Sequence, residues 1–139
     1  MSSEDRFAIQ DLVSRYAYHL DLGQIDAWVA LFTEQGVLDE REMDVAMFEG
    51  RGAIAAYGAE IKADVLNVVH LMMNHLVLDA SANKASGCVF ALCEARTRSS
   101  GQVRYYIRYE DDYVRTAEGW RFERRTVLPS FPPQPVQPA

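Results

Sequence analysis

The sequence predicts an α+β domain in which helices come first and an antiparallel sheet follows. Before residue 64, three segments carry apolar side chains at helical spacing. After it, four long runs are rich in β-branched, apolar and aromatic residues and are separated by short turns. Strands joined by short turns must run antiparallel, and helices grouped ahead of such a sheet are typical of the α+β class.

The predicted helices cover residues 3–20, 25–32 and 53–63. Ser2 or Ser3 caps the first helix, and Gly23 ends it because glycine readily adopts the left-handed conformation that closes a helix. The side chains expected in the core recur at helical spacing and are Ile9, Leu12, Val13, Tyr16, Leu20, Trp28, Leu31, Phe32, Ile54, Tyr57 and Ile61.

The sheet is expected to occupy most of the second half of the chain. Long strands are predicted at residues 65–79, 85–98, 103–115 and 120–127, with a short strand at 37–39 and a strand or loop at 41–50. All five prolines fall at or after Pro129, so the final segment is expected to be extended and irregular. We therefore expect one domain over residues 1–128 and a Pro-rich tail over residues 129–139.

Composition excludes several classes of function. The 139 residues are 49% hydrophobic and 24% charged, as in an ordinary globular domain. A net charge of −6 and the absence of any basic cluster argue against a nucleic-acid partner. The N-terminus lacks the apolar core of a signal peptide, and no window approaches the roughly 20 apolar residues of a spanning helix. We expect a cytoplasmic protein that does not bind a membrane.

The two cysteines, Cys88 and Cys93, lie five residues apart in one predicted strand. An odd separation points them to opposite faces of the sheet, which argues against a disulfide between them. They also lack the spacing of metal ligands, so we expect no metal site.

Three polar residues interrupt the apolar run VVHLMMNH, residues 68–75. Burying an imidazole in apolar surroundings costs free energy unless the ring is hydrogen-bonded. Strict alternation along a strand places one set of side chains on a face that would line a pocket beneath the helices, and His75 on the opposite face. The set on the pocket face is His70, Met72, Asn74 and Leu76.

The same strand is apolar on both of its faces. An antiparallel sheet with one solvated face should alternate between apolar and polar residues. We therefore expect the second face to be buried against another copy of the chain.

The stretch RYAYHLD supplies partners for His70. Asp21 falls at the end of the first helix, and Tyr16 precedes it by five residues. A carboxylate beside a buried imidazole fixes its tautomer, raises its basicity and leaves the other ring nitrogen free as a base. A tyrosine hydroxyl can polarise a carbonyl. This combination suits proton abstraction next to a carbonyl, or elimination of water, without a metal.

Three segments resemble a known family. They are AIQDLVSRYAYHLDLGQIDAWVALFTEQGVL, HLMMNHLV and RYEDDYVRTAEGWRFERRTV. Together they are similar to the SnoaL-like branch of the nuclear-transport-factor-2-like superfamily, which includes polyketide cyclases, scytalone dehydratase and bile-acid dehydratase. The resemblance implies a cone-shaped, curved antiparallel sheet closed by three N-terminal helices around a pocket, in a homodimer or homotrimer.

The resemblance also implies roles for single residues. Asp21 and His70 match the family's catalytic Asp–His pair, and Tyr16 matches the tyrosine that precedes the aspartate in the dehydratases. Asn74 matches the asparagine of the H-x-x-x-N pattern. The family's second histidine, on the following strand, is missing here, which argues against a true scytalone-type mechanism.

An arginine after the last tryptophan often contacts substrate in these relatives or braces the catalytic pair. Strand parity with Phe122 favours Arg124 for this position, whereas spacing from Trp120 favours Arg125.

These residues predict a cofactor-independent lyase or isomerase, of the dehydratase or cyclase kind, acting on a small apolar and possibly cyclic hydroxy-carbonyl compound. The side chains expected to line or floor its pocket are Trp28, Phe32, Met72, Leu76 and Tyr109. Asp39 or Glu94 could face the pocket and rival Asp21 as base, whereas residues 110–112 are expected to be a solvated acidic run.

The alternatives are a non-catalytic small-molecule-binding protein and an assembly subunit with the same fold. An apolar cavity that contains an Asp–His contact would favour the enzyme, and a filled cavity would favour the assembly subunit.

Overall fold

A computed structural model describes residues 1–137, in which three α-helices pack against one seven-stranded sheet. The helices are α1 (Ser3–Asp21), α2 (Ile25–Val29) and α3 (Arg51–Asp64), with a 3₁₀ turn at Arg41–Met43. The strands are β1 (Phe32–Asp39), β2 (Met47–Glu49), β3 (Val65–Ala80), β4 (Lys84–Thr97), β5 (Gly101–Thr116), β6 (Gly119–Pro129) and β7 (Gln134–Pro135). The predicted α+β class is confirmed. Residues 138 and 139 of the predicted tail lie outside the described residues.

The sheet is curved and unclosed, with the strand order β2-β1-β6-β5-β4-β3, and β7 pairs with β5. The β1–β6 pair is parallel and the other pairs are antiparallel. The core lies between the helices and the inner face of this cone. None of the helices within residues 1–137 is long and apolar enough to cross a membrane.

Helix α1 begins and ends where its sequence signals place it. Ser2 and Asp5 form a reciprocal capping box at the N-terminus, which satisfies backbone donors that the helix itself leaves free. Asp5 also accepts hydrogen bonds from Trp120 at 3.0 Å and Arg115 at 2.7 Å, which fasten the helix to the β5–β6 hairpin. Beyond the helix, Gly23 adopts a φ of +68°.

Two elements differ from the expected ones because tertiary pairing overrides local pattern. Helix α2 ends at Val29, and Phe32 begins β1 by pairing with Phe122 of β6. The tail was expected to be irregular, yet residues 134–135 form β7. Pairing between β5 and β6 starts only at Ile107, so the first part of β5 has a free edge that β7 occupies.

A β-bulge at Asn74 reverses the alternation of β3. Met73 pairs with Phe90 and Leu76 with Cys88, so three steps along β3 match two along β4. Within this bulge, Asn74 adopts a positive φ of +55°.

The bulge makes three predicted orientations wrong. His75 lies on the inner face with His70, whereas Asn74 is exposed at the bulge and Leu76 is 61% exposed on the outer face. The physical reason is that one extra residue moves every later side chain of the strand to the other face.

A second bulge, at Glu123 of β6, decides between the two arginines. Asp112 pairs with Arg124 and Tyr113 with Phe122, so Glu123 is the extra residue. Arg125 therefore shares the inner face with Phe122, and Arg124 points outward.

The inward-facing Arg125 is fully buried and paired with Asp111. Its Nε and Nη2 donate to the two carboxylate oxygens of Asp111 at 2.7 and 2.9 Å. The guanidinium carbon lies 4.2, 3.9 and 4.4 Å from the ring centroids of Tyr16, Tyr109 and Phe122. The expectation that Asp111 is solvated is therefore wrong.

The Asp111 carboxylate is also the end of a short hydrogen-bond chain. The Tyr113 hydroxyl donates its proton to Asp111 at 2.8 Å. It must therefore accept from Nε2 of His75, 3.1 Å away. His75 is thus a structural histidine inside the cone, and burial lowers its pKa.

We expect Asp111→Ala to lower the free energy of unfolding by roughly 3–5 kcal/mol, because it leaves a buried guanidinium without its counter-ion. Glu110→Ala is the matched control. It removes the partner of Arg108 in an exposed pair and should cost at most about 1 kcal/mol. Urea denaturation followed by tryptophan fluorescence measures both, and equal small losses would show that the buried pair does not hold the core.

Candidate active site

A cavity of about 250 Å³ lies between the helices and the inner face of the sheet. Nine of its lining residues are apolar: Leu20, Met43, Val45, Ile61, Val65, Val68, Ala95, Ile107 and Val127. The others carry polar groups and are Tyr16, Glu40, Tyr57, Asp64, His70, Cys93, Thr97, Tyr105 and Tyr109. Apolar walls with a few convergent polar groups are typical of small-molecule sites.

Asp21 and His70 meet at one side of this cavity. One carboxylate oxygen of Asp21 lies 2.5 Å from Nδ1 of His70, and the other accepts the backbone N–H of His70 at 2.7 Å. Asp21 is the last residue of α1, and His70 lies on the edge strand β3. The contact therefore joins two residues that are 49 positions apart in sequence. Because Nδ1 is engaged by Asp21, Nε2 is the ring nitrogen left for the cavity.

This contact controls the protonation of the imidazole. Burial disfavours the charged ring, but the hydrogen bond with Asp21 and a contact with Cys93 outweigh it and raise the pKa of His70 to about 10. At neutral pH the His70 ring is therefore an imidazolium. The ring is an Nε2–H donor in that state and becomes a strong base when it loses the proton.

Cys93 is a lining residue that the sequence did not single out as part of the site. It pairs directly with His70 across the β3–β4 ladder, and it lies on the inner face, opposite to Cys88. Directly opposed residues on neighbouring strands have Cβ atoms about 4.5–5.5 Å apart.

Tyrosine hydroxyls supply further donors to the cavity. Burial raises the pKa values of Tyr16, Tyr57, Tyr105 and Tyr109. All four side chains are therefore neutral phenols at physiological pH. Tyr57 donates its proton to Glu40, which leaves Tyr16, Tyr105 and Tyr109 to donate a hydrogen bond to a ligand oxygen.

Glu40 is a second lining residue missed by the sequence analysis. Its Oε2 accepts a hydrogen bond from the Tyr57 hydroxyl at 2.5 Å, and burial raises its pKa. Glu40 directly follows the last residue of β1, where the predicted strand also ended. Alternation from the inward-facing Leu38 would have placed Glu40 inside.

Asp39 and Glu94, the carboxylates that were considered as rivals of Asp21, do not line the cavity. Asp39 is bound by Arg41 and Arg124, and Glu94 by Arg104.

The remaining predicted pocket residues lie outside the cavity lining. Trp28 and Phe32 are fully buried and pack behind Tyr16, with ring centroids 5.6 and 6.3 Å away. Met72 is half-buried against the core. Arg125 lies beneath the rings of Tyr16 and Tyr109 and braces them from below.

No group of three or more His, Cys, Asp or Glu side chains with the geometry of a metal site occurs within residues 1–137. What the arrangement offers chemically is a proton carrier backed by a carboxylate, neutral phenols and a buried carboxyl group.

A model of the SnoaL-like domain matches residues 1–126 of the sequence. The chain belongs to the SnoaL-like family. No curated protein matches this SnoaL-like chain.

Solved structures share its architecture over nearly the whole chain. A protein from Novosphingobium aromaticivorans, provisionally assigned as an aromatic ring hydroxylase, is 28% identical with a TM-score of 0.92, over 96% of this chain and 94% of that one. A provisionally assigned scytalone dehydratase from the same species is 21% identical, with a TM-score of 0.85 over 96% and 89%. Hexachlorocyclohexane dehydrochlorinase LinA-type3 from Novosphingobium barchaimii is 18% identical, with a TM-score of 0.84 over 97% and 94%.

We expect the His70 ring of this SnoaL-like protein to stay charged through neutral pH and to lose its proton near pH 10. In Asp21→Asn the carboxylate is gone while burial remains, so the pKa of His70 should fall below the ordinary value of roughly 6.5. Proton NMR titration of the ring C–H signals measures both, with the His19 signals as an internal reference. Equal titration of His70 in both proteins would contradict the contact.

The same shift has a consequence for stability. Because the pKa of His70 is higher in the folded chain than the unfolded value of roughly 6.5, its contribution is complete below that pH and is lost as the pH rises towards 10.

Proposed function

We propose that this SnoaL-like protein is a cofactor-independent lyase or isomerase, of the dehydratase or cyclase type, acting on a small apolar, cyclic hydroxy-carbonyl compound. The observation that carries the proposal is the two-point contact of Asp21 with His70 at the wall of an apolar cavity. A carboxylate that holds both the ring and the backbone of a histidine fixes the direction of its free nitrogen.

In the proposed reaction, Nε2 of neutral His70 takes a proton from the carbon next to the substrate carbonyl. Asp21 keeps its hydrogen bond to Nδ1 and stabilises the imidazolium that forms. Negative charge then develops on the carbonyl oxygen, where the Tyr16 hydroxyl can donate a hydrogen bond. The resulting enolate either expels a hydroxyl group as water or is reprotonated at another carbon.

Tyr16 is suited to this role by its surroundings. The guanidinium of Arg125 lies 4.2 Å from the centroid of its ring, and the Trp28 and Phe32 rings pack around it. A ring held on several sides presents its hydroxyl in one place, which is what preorganised stabilisation of an oxyanion requires.

The names of the structural neighbours are consistent with this reaction class. A dehydratase and a dehydrochlorinase each remove hydrogen and a leaving group from adjacent carbons. Their identity to this chain is 21% and 18%, so they support the proposal through a shared fold.

The two alternatives are distinguished by the cavity and by turnover. An assembly subunit has no need of a cavity, and this cavity is lined by His70, which Asp21 contacts. A binding protein would take up the same ligands without converting them.

A second candidate activity follows from the position of Cys93. Its thiol faces the His70 ring, which Asp21 orients. A thiol, an imidazole and a carboxylate in this sequence of contacts can also activate a cysteine nucleophile for acyl transfer. Replacing the thiol separates the two activities, because proton abstraction by His70 does not need it.

We expect His70→Ala to abolish conversion of 3-hydroxycyclohexanone to cyclohex-2-enone, because no other lining residue is an imidazole. Asp21→Asn should slow it by about 10²–10⁴-fold, and Tyr16→Phe should slow it by less. His19→Ala is the control, since His19 lies at the end of α1 and contacts Gln24. Product formation in the ultraviolet is the measurement.

Cys93→Ala should keep that activity within about threefold, since the thiol takes no part in the proton transfer. Loss of turnover in Cys93→Ala, with activity retained in His70→Ala, would replace the proposal by the thiol chemistry.

We also propose that a second copy of the chain covers the outer face of β3. β3 is the edge strand of the sheet. Its exposed apolar side chains are Leu66, Val69, Leu71, Met73, Leu76 and Leu78, with Phe90 of β4 beside them. Exposed apolar patches of this kind mark interaction sites, and closed symmetric pairs are the commonest assembly.

Sedimentation equilibrium at micromolar concentration should therefore show a homo-oligomer for the parent protein and a monomer for Leu71→Asp combined with Leu76→Asp. Phe7→Asp is the matched control, because Phe7 is equally apolar and 70% exposed but lies on α1. A parent protein that sediments as a monomer would contradict this assembly.

A further inference from the structure

Glu40 is a half-buried carboxyl group for which the proposed reaction has so far no role. It follows the last residue of β1, lines the cavity and accepts a hydrogen bond from the Tyr57 hydroxyl of α3. Tyr57 is itself held by Phe48, whose ring stacks on it at a centroid distance of 4.1 Å and an angle of 11°. The second oxygen of Glu40 has no hydrogen-bond partner among the described residues.

The preceding residue, Asp39, has the cationic partners that Glu40 lacks. Asp39 points to the outer face, where hydrogen bonds from Arg41 and the nearby Arg124 lower its pKa to about 2. Within residues 1–137 no salt bridge of Lys, Arg or His reaches Glu40, and burial raises its pKa although charged His70 opposes this. The pKa values of two adjacent carboxyl groups are therefore shifted in opposite directions, that of Asp39 down and that of Glu40 up.

We propose that Glu40 is the general acid that delivers a proton to the leaving hydroxyl group of the substrate while His70 acts as the base. This assignment rests on the proposed function, and it narrows the substrate class to β-hydroxy carbonyl compounds. Such a substrate presents its acidic C–H to His70 and its hydroxyl group to Glu40 across the same cavity.

The step is balanced. Nε2 of His70 takes the proton, and the C–H electron pair enters the enolate. When the enolate collapses, that electron pair forms the new C=C bond. The C–O bond breaks, its electrons remain on the oxygen, and the carboxyl proton of Glu40 converts the leaving group to water. The enzyme is left with a charged His70 and an ionised Glu40, and passage of one proton from the first to the second restores the starting state.

Glu40 is the lining group best suited to this delivery. Hydroxide is a poor leaving group and needs a proton as the C–O bond breaks. The buried tyrosines hold their protons too tightly to give them up readily, and His70 must be neutral to act as the base. His70 is charged at neutral pH, so the reaction starts from the minor fraction of molecules in which the ring has lost its proton to solvent. That fraction grows as the pH rises towards 10.

Two compounds with one product test this assignment. 3-Hydroxycyclohexanone loses water and 3-chlorocyclohexanone loses chloride, and both give cyclohex-2-enone. Chloride leaves without protonation, so Glu40→Gln should slow loss of water by about 10²–10⁴-fold and loss of chloride by no more than about threefold. His70→Ala should lose both activities, and Glu42→Gln, on an exposed neighbouring carboxylate, should lose neither.

A second readout does not depend on turnover. The side-chain carboxyl ¹³C signal that disappears in Glu40→Gln should stay at the position of a protonated acid at pH values above the ordinary glutamate pKa of roughly 4.3. An ionised Glu40 under those conditions would overturn the assignment.

The outcomes separate this assignment from the proposed function. A parent protein that converts both compounds, with Glu40→Gln slowing both equally or neither, would overturn the assignment alone, because a merely structural or oxyanion-binding role does not distinguish the leaving groups. A parent protein that converts neither compound would overturn the proposed function and the assignment with it.

Discussion

The buried pair of Arg125 and Asp111 is the interaction on which the rest of this fold depends. A guanidinium without accessible surface is tolerable only when a counter-ion compensates for its lost hydration, and Asp111 does so through two hydrogen bonds. The pair joins β5 to β6 at the centre of the sheet. The Arg125 guanidinium also packs against the rings of Tyr16 and Tyr109. The same ion pair therefore supports both the floor of the cavity and the core of the domain.

The two inward-facing histidines show how surroundings decide what one residue type does. His70 meets a carboxylate at Nδ1, and its pKa rises. His75 meets the hydroxyl of Tyr113 and is buried with no carboxylate bound to its ring, so its pKa falls. One is therefore equipped to carry a proton and the other to remain neutral in a packed network.

A similar division separates the two ends of the cavity. At one end Asp21 accepts hydrogen bonds from His70, and at the other Tyr57 donates a hydrogen bond to Glu40, whose burial raises its pKa. The family resemblance implies a second histidine on the following strand, and residues 85–98 contain none. In our proposal the second proton carrier is Glu40, just after β1, and elimination would not need that histidine.

The sequence by itself determined the α+β class, because helical spacing and turn residues are local properties of the chain. The pairing of Asp21 with His70 was predicted from the family resemblance, since local pattern does not join residues 49 positions apart. The cavity was implied by the same pattern. The orientations of Asn74, His75, Leu76 and Arg125 were decided only by tertiary structure, since the bulges at Asn74 and Glu123 each insert one residue and reverse the alternation on which those predictions rested.

The states of the buried carboxyl groups were likewise beyond local pattern. Asp111 stands in an acidic run that appears solvated, and Glu40 stands beside an ionised aspartate. Whether each is charged depends on which groups from distant elements meet it: Arg125 of β6 for the first, and Tyr57 of α3 with an apolar cavity for the second. Those partners are 14 and 17 residues away in sequence, and only the folded sheet brings them together.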